Sequence, residues 1–183
     1  MSVALIGFGY KREHGKDEAA KYVVKTFPDL RLDSFAFSLK EGICRHVFGL
    51  TDEQLYGSLK HVIDPFWGMT PREILQKAGT EAMRHAFGEQ IWVQTVMRRL
   101  AQNEKRPVIS DVRFKSEADA IQYAGGVVIR IDRNVPFDRK IDTHKSETDL
   151  DDWYRWDYVI TNNGTLEEFH EKVHHIVEKV LAS

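Results

Sequence analysis

The sequence predicts an α/β protein: a mainly parallel, five-stranded sheet flanked by helices. Two observations carry the prediction. Five short apolar runs are separated by segments of helical periodicity, and the runs lack the alternation of a half-solvated strand, as expected for strands covered on both faces.

Ser2 to Phe8 reads as a buried strand that runs into a glycine-rich loop. Asp17 to Phe27 follows as a helix, with Ala19, Ala20, Val23, Val24 and Phe27 on one face and Pro28 as its stop. Leu30 to Phe37 is the second strand. Capping boxes, in which a Ser or Thr and a residue three positions on satisfy each other's free amides, mark helix starts at Ser38–Glu41, Thr51–Gln54, Thr70–Glu73 and Thr165–Glu168. Pro71 supports the third as a first-turn proline, and that helix extends to about His85. Glu89 to Gln102 is a further helix. Pro107 to Asp111 is a strand, Ser116 to Tyr123 a helix, and Gly125-Gly126 a turn into the strand Val127 to Ile131. A polar, irregular stretch from Asn134 to Trp156 precedes the strand Asp157 to Thr161, and Asn163-Gly164 turns into the closing helix. Ligands of such sheets bind beyond the carboxyl ends of the strands, so the loops after Phe8, Phe37, Ile109, Ile131 and Ile160 are the expected functional ones.

The chain's 183 residues fit one domain, and the all-helical stretch from Ser38 to Gln102 is long enough for a substrate-covering subdomain. With 26 Lys and Arg against 28 Asp and Glu, there is no global basic field to hold nucleic acid. Trp153, Tyr154 and Trp156 could form a stacking platform, but Asp149, Asp151, Asp152 and Asp157 beside them would repel a phosphate backbone; packing at the base of the polar stretch is the better reading. The single cysteine, Cys44, fits a reducing compartment. Met1 to Phe8 is too short to span a membrane and has no basic segment before it. A soluble, intracellular protein with no membrane or nucleic-acid partner is expected. The eight histidines show no metal-site spacing.

Chemistry concentrates between the first strand and first helix, at Gly7 to Asp17. A glycine-rich loop there turns its amides and the helix N-terminus toward an anion, and Lys16 is placed to reach the β- and γ-phosphates of a nucleotide. Five residues separate Gly9 from Gly15, one more than in the standard phosphate loop, and Asp17 stands where Ser or Thr normally ligates Mg²⁺. A carboxylate is a good hard ligand for that ion. The alternative is a strand-to-helix turn with Lys16 solvated and Asp17 as a partner of the helix dipole.

Lys11-Arg12-Glu13-His14-Gly15-Lys16-Asp17 is similar to the G-x-K-R-S-G-K-D loop of the phage-type deoxynucleoside monophosphate kinases, which belong to the P-loop nucleoside monophosphate kinase superfamily. Phe35-Ala36, Leu39-Lys40-Glu41, Arg72 to Gln76, Gly79-Thr80-Glu81, Arg84, Trp92-Val93, Ser110 to Arg113, Thr143-His144, Ser146-Glu147 and Ile160 to Gly164 resemble further segments of that family in the same order. The resemblance implies one P-loop kinase domain over residues 1–183, with a helical acceptor-binding region at 38–104 and a short lid at 134–156. It implies Mg²⁺-dependent transfer of the ATP γ-phosphate to a deoxynucleoside 5′-monophosphate, in the host cytoplasm if the gene is a phage's. A homodimer is left open.

Such a reaction needs positioning and charge neutralisation rather than a nucleophilic side chain. Lys16, Asp111, Arg113, Arg133 and Arg139 are the candidate catalytic residues, the last two as lid arginines or as surface charges. Lys11, Arg12, Glu13, His14, Gly15, Lys16 and Asp17 are candidates for the donor phosphates, and Asn162, Asn163 and Gly164 for the donor base or a simple turn. Asp17 and Asp111 are candidate Mg²⁺ ligands; Asp111 reads equally as a turn cap. Arg113 could grip the acceptor phosphate or pair with Glu117 or Asp119. Lys40, Arg72 and Arg84 are candidate clamps on the acceptor phosphate, or solvated helix charges. Arg72 in a first turn opposes the helix dipole, which hints at a use beyond stability. Thr80, Glu81 and Trp92 could line the acceptor pocket, with core packing the better reading of Trp92. A kinase of another small acceptor and a non-catalytic nucleotide-binding regulator are the competing readings.

Overall fold

The computed structural model describes residues 5–102, 105–134 and 144–182. In chain order the elements are β1 (Ile6–Gly9), α1 (Lys16–Thr26), β2 (Leu30–Asp33), a π-helix at Ser38–Arg45, α2 (Asp52–Leu55), a 3₁₀ turn at Ser58–His61, α3 (Pro71–Gln76), a second π-helix at Lys77–Arg84, α4 (His85–Phe87), α5 (Ile91–Leu100), β3 (Arg106–Val112), α6 (Lys115–Tyr123), β4 (Val127–Asp132), α7 (Lys145–Thr148), β5 (Tyr158–Thr161) and α8 (Leu166–Ala182).

The strands lie in the order β2-β3-β1-β4-β5, and each neighbouring pair is parallel. The expected fold class therefore holds, with the sheet wholly rather than mainly parallel. From β1 the chain passes to one side to make β2 and β3, then crosses to make β4 and β5 on the other. The carboxyl end of β1 lies at that switch, where ligands of such sheets bind. Ile6 and Phe8 of β1, Val108 of β3, and Ile129 and Ile131 of β4 are buried against α1 and α8. On α8 that face is built by Phe169, Val173, Val177 and Val180, a helical stripe turned wholly inward. The opposite face of β1 carries no side chains at Gly7 and Gly9. A Cβ at Gly7 would meet Ile121 of α6 at 2.6 Å, and one at Gly9 the Trp156 ring at 3.0 Å.

The chain divides into two compact units, residues 1–34 with 99–183, and residues 35–98. The first contains the sheet. The second is helical and has its own buried residues, among them Leu39, Cys44, Leu50, Leu55, Ile74, Trp92, Val93 and Val96. Three of the four expected capping boxes form, at Thr51–Gln54, Thr70–Glu73 and Thr165–Glu168. The fourth does not. Phe37 before Ser38 is already helical, at φ −55° and ψ −54°, and no side chain caps the π-helix there; Glu41 instead binds Arg45 at 2.6 Å and accepts from the Tyr56 hydroxyl at 2.6 Å. β2 also ends at Asp33, short of the expected Phe37. There Asp33 accepts from Arg31 at 2.8 Å, Arg99 at 2.6 Å and the Ser34 amide at 2.7 Å.

Candidate active site

The loop from Gly9 to Gly15 fits its extra residue by bending the backbone into the left-handed region at Tyr10 (φ 99°), Glu13 (φ 63°) and Gly15 (φ 108°). Tyr10 and Glu13 have side chains that disfavour this conformation, so the loop holds strain at two places. At Tyr10 ring contacts offset it. The Arg130 guanidinium lies 3.8 Å from the ring centroid, and the His14 and Trp156 rings meet its ring at steep angles. Gly15 precedes α1, and a Cβ there would lie 2.6 Å from the Asn162 amide nitrogen. That buried amide donates to the His14 carbonyl at 2.9 Å, so the turn after β5 braces the loop from below. The His14 ring is buried and accepts the Arg133 amide at Nδ1, 3.1 Å away. Burial, and after it the Lys16 cation, lower the pKa of this imidazole from its usual value.

Lys16 begins α1 with only 6% of its surface exposed, and its ammonium turns back to the Lys11 carbonyl. Burial pushes its pKa down to about 8 and the Arg113 cation adds to this; Asp17, Glu147 and Asp111 pull it back. The backbone places them around the loop: Asp17 follows Lys16 in α1, Gly9 pairs with Val112 between Asp111 and Arg113, and Glu147 binds the Arg12 amide. Asp17 is exposed in the first turn of α1 and Asp111 half-buried near the end of β3. Just beyond β3, the Arg113 and Phe114 amides donate to Glu117 at 2.9 and 3.1 Å, while the Arg113 guanidinium pairs with Glu147 of α7. The second Glu147 oxygen accepts the Arg12 amide at 3.3 Å, and its backbone carbonyl accepts Lys11 at 3.1 Å. Lys11 also pairs with Asp151, and Arg12 with Glu13 at 2.9 Å.

In the helical unit, Arg84 is buried and donates to the Glu89 carbonyl at 2.8 Å. Trp92 is buried too, with its indole nitrogen donating to the Gly79 carbonyl at 2.9 Å. The Lys40 ammonium stands 4.3 Å from the centre of the Tyr56 ring. Glu81 is exposed and pairs with Lys77 at 3.4 Å, while Arg72 and Thr80 are half-buried on α3 and the second π-helix.

The profile of the deoxynucleotide monophosphate kinase family matches residues 7–173. The chain belongs to that family. It is 36% identical over 190 residues to a protein of Acanthamoeba polyphaga mimivirus provisionally named a deoxynucleotide monophosphate kinase, with 93% of this chain and 94% of that one covered. It is also 30% identical over 115 residues to the deoxynucleotide monophosphate kinase of Enterobacteria phage T4, covering 61% of this chain and 46% of the phage protein. Among solved structures, dephospho-CoA kinase from Campylobacter jejuni superposes with a TM-score of 0.57 over 98% of both chains, at 14% identity, and shares the P-loop kinase fold. Family membership makes this chain an enzyme that phosphorylates a nucleoside monophosphate, and implies ATP as the phosphate donor. Among the described residues, no helix is long and apolar enough to cross a membrane.

Of the residues singled out in the sequence, the family's sheet unit brings together Lys11, Arg12, His14, Lys16, Asp17, Asp111, Arg113 and Asn162. Asn163 accepts the Asn134 amide at 2.8 Å, and Gly164 precedes the Thr165 cap of α8. Arg133 is exposed at the end of β4, and Arg139 lies outside the described residues. Arg113 takes neither of its expected acidic partners with its guanidinium: Glu117 binds its backbone, and Asp119 accepts from Trp153 at 2.9 Å and pairs with Arg155. Trp153 is buried and stacks edge-on with Trp156, consistent with packing rather than a stacking platform. Glu147 was visible in the sequence only as part of Ser146-Glu147 in the polar stretch. Its partner Arg113 lies 34 positions away, so no local pattern joins them.

Proposed function

We propose that the chain transfers the γ-phosphate of ATP, with Mg²⁺, to a deoxynucleoside 5′-monophosphate, giving ADP and a deoxynucleoside diphosphate. The observation that carries this reading is the clustering of Lys16, Asp17, Asp111 and Arg113 around one phosphate loop, in a chain of this family.

Phosphoryl transfer needs donor and acceptor phosphates held in line while negative charge is neutralised. The loop amides and the N-terminus of α1 supply a fixed positive field for the donor phosphates. Lys16 swings from the Lys11 carbonyl to the β- and γ-phosphates, exchanging a neutral partner for a charged one. Arg113 takes the acceptor phosphate, or the phosphoryl group in flight, on its guanidinium fork. Asp17 and Asp111 offer hard oxygen donors and would hold Mg²⁺, directly or through water. Among the described residues no three His, Cys, Asp or Glu side chains converge on a metal position; that suits an ion held by one or two carboxylates and the substrate's phosphates. When bound, Mg²⁺ neutralises the donor phosphates. In the helical unit, we assign the half-buried Arg72, Lys40 and Thr80 to the acceptor. Arg84 and Trp92 are buried there, each bonded to a backbone carbonyl.

The test is product formation from Mg·ATP with dGMP, dTMP, dCMP, dAMP and their ribonucleotide counterparts in turn. At least one deoxynucleotide should give its diphosphate and an equal amount of ADP, with ribonucleotides slower. Turnover of ribonucleotides at the same rate, or of none, would overturn the reading.

A further inference from the structure

We infer that Glu147 is a positioning residue that fixes the Arg113 guanidinium against the leading edge of the phosphate loop. The role rests on the kinase reading above and adds to it a residue with no phosphate contact of its own.

The geometry starts with the backbone of Arg113. Its amide and that of Phe114 are held by Glu117, and the Lys115 amide by Asp149 at 2.8 Å. The main chain is thus pinned on both sides, and what remains free is a long side chain with several rotatable bonds. Glu147 removes that freedom. One carboxylate oxygen takes the guanidinium, and the other takes the Arg12 amide of the phosphate loop at 3.3 Å. One carboxylate therefore joins an arginine beyond β3 to the loop after β1. Only 6% of the Glu147 side chain is exposed, against 27% of Arg113, so the buried partner is the anion and the arginine keeps an open side for a ligand. A buried carboxylate is costly unless it is paired, and each atom of this one has a cation or an amide.

α7 is itself fastened in place. Its first turn is capped by the His144 ring, which accepts the Ser146 amide at 3.2 Å. The Glu147 carbonyl accepts Lys11, and Asp152 pairs with Lys115 at 2.7 Å. The positioning element is thus anchored to both parts that it aligns. A misplaced phosphate clamp costs rate more than nucleotide affinity, because alignment matters most in the transition state.

The experiment is a double-mutant cycle with Glu147→Gln and Arg113→Ala, read in kinetics and in ¹⁵N-guanidinium NMR. Glu147→Gln should lower kcat about 10- to 100-fold and leave KM for ATP within about twofold. In the Arg113→Ala background it should change kcat by less than about twofold, since the two act as one unit. The Arg113 guanidinium should show hindered rotation in the wild type and free rotation in Glu147→Gln. Additive losses, or a several-fold fall in KM for ATP with kcat intact, would overturn the inference; the second result would make the carboxylate a competitor of the nucleotide's phosphates. If Glu147→Gln does not fold, Glu147→Asp, which retains charge but shortens reach, replaces it in both arms. A wild type that turns over no monophosphate counts against the kinase reading alone. The NMR arm then still decides whether Glu147 holds Arg113, and unhindered rotation in the wild type would refute it.

Discussion

Lys16 is where stability and function oppose each other. Its ammonium is buried, and burial lowers its pKa from 10.5 to about 8. In this base the folded state gives up the proton before the unfolded state does. The penalty for burying the charge is therefore complete below about pH 8 and disappears as the pH rises toward 10.5. Lys16→Met, which fills the space without charge, should raise the melting temperature at pH 7 by an amount equivalent to roughly 3 kcal/mol. That gain should shrink between pH 8 and 10.5, as a pair of thermal-unfolding series would record. Activity moves the other way. Since kcat/KM reports the free enzyme, its value for ATP should fall on the alkaline side with a midpoint near pH 8, and a profile flat to pH 10 would contradict a role for the charged lysine. Asn162 provides a second test at this scale. Its amide braces the His14 carbonyl, so Asn162→Ala should weaken ATP and inorganic pyrophosphate alike, by roughly 5- to 10-fold. Calorimetry that finds pyrophosphate unaffected and ATP weakened would instead put Asn162 at the donor base.

At the level of elements, what could be read in the sequence is what is local in it. The capping boxes at Thr51, Thr70 and Thr165 form because both partners lie within one turn. The signal at Ser38 has the same spelling and fails because helical structure has already begun at Phe37. Neither π-helix was legible, since the wider turn is set by packing rather than by propensity. In the second, Lys77–Arg84, the Trp92 indole takes the Gly79 carbonyl at 2.9 Å, and Leu39 occupies the space that a Cβ at Gly79 would need. Trp92→Phe keeps most of the buried area but leaves that carbonyl without its indole donor. It should destabilise the protein by about 1–3 kcal/mol in urea unfolding. A variant as stable as the wild type would mean that the π-helix holds without the indole.

For the molecule as a whole, the order of strands and helices was legible because apolar runs and helical periods alternate, and the parallel sheet follows from that alternation. The phosphate loop was legible because its residues are consecutive. Its strain at Tyr10 and Glu13 was not, and neither was the carboxylate that joins it to Arg113, since both depend on residues brought together only by the fold. The length of the helical stretch between β2 and β3 was legible as well, but the internal packing of residues 35–98 was not. The claim on which the rest depends is that Gly9 to Asp17 is the donor-phosphate site of a kinase. The most direct measurement follows the radioactive γ-phosphate of ATP onto a deoxynucleoside monophosphate, with Mg²⁺, in wild type and Lys16→Ala. Label should pass to a deoxynucleoside diphosphate in the wild type and fall by at least about 100-fold in the variant. Transfer that persists undiminished without Lys16 would place the donor site elsewhere in the molecule.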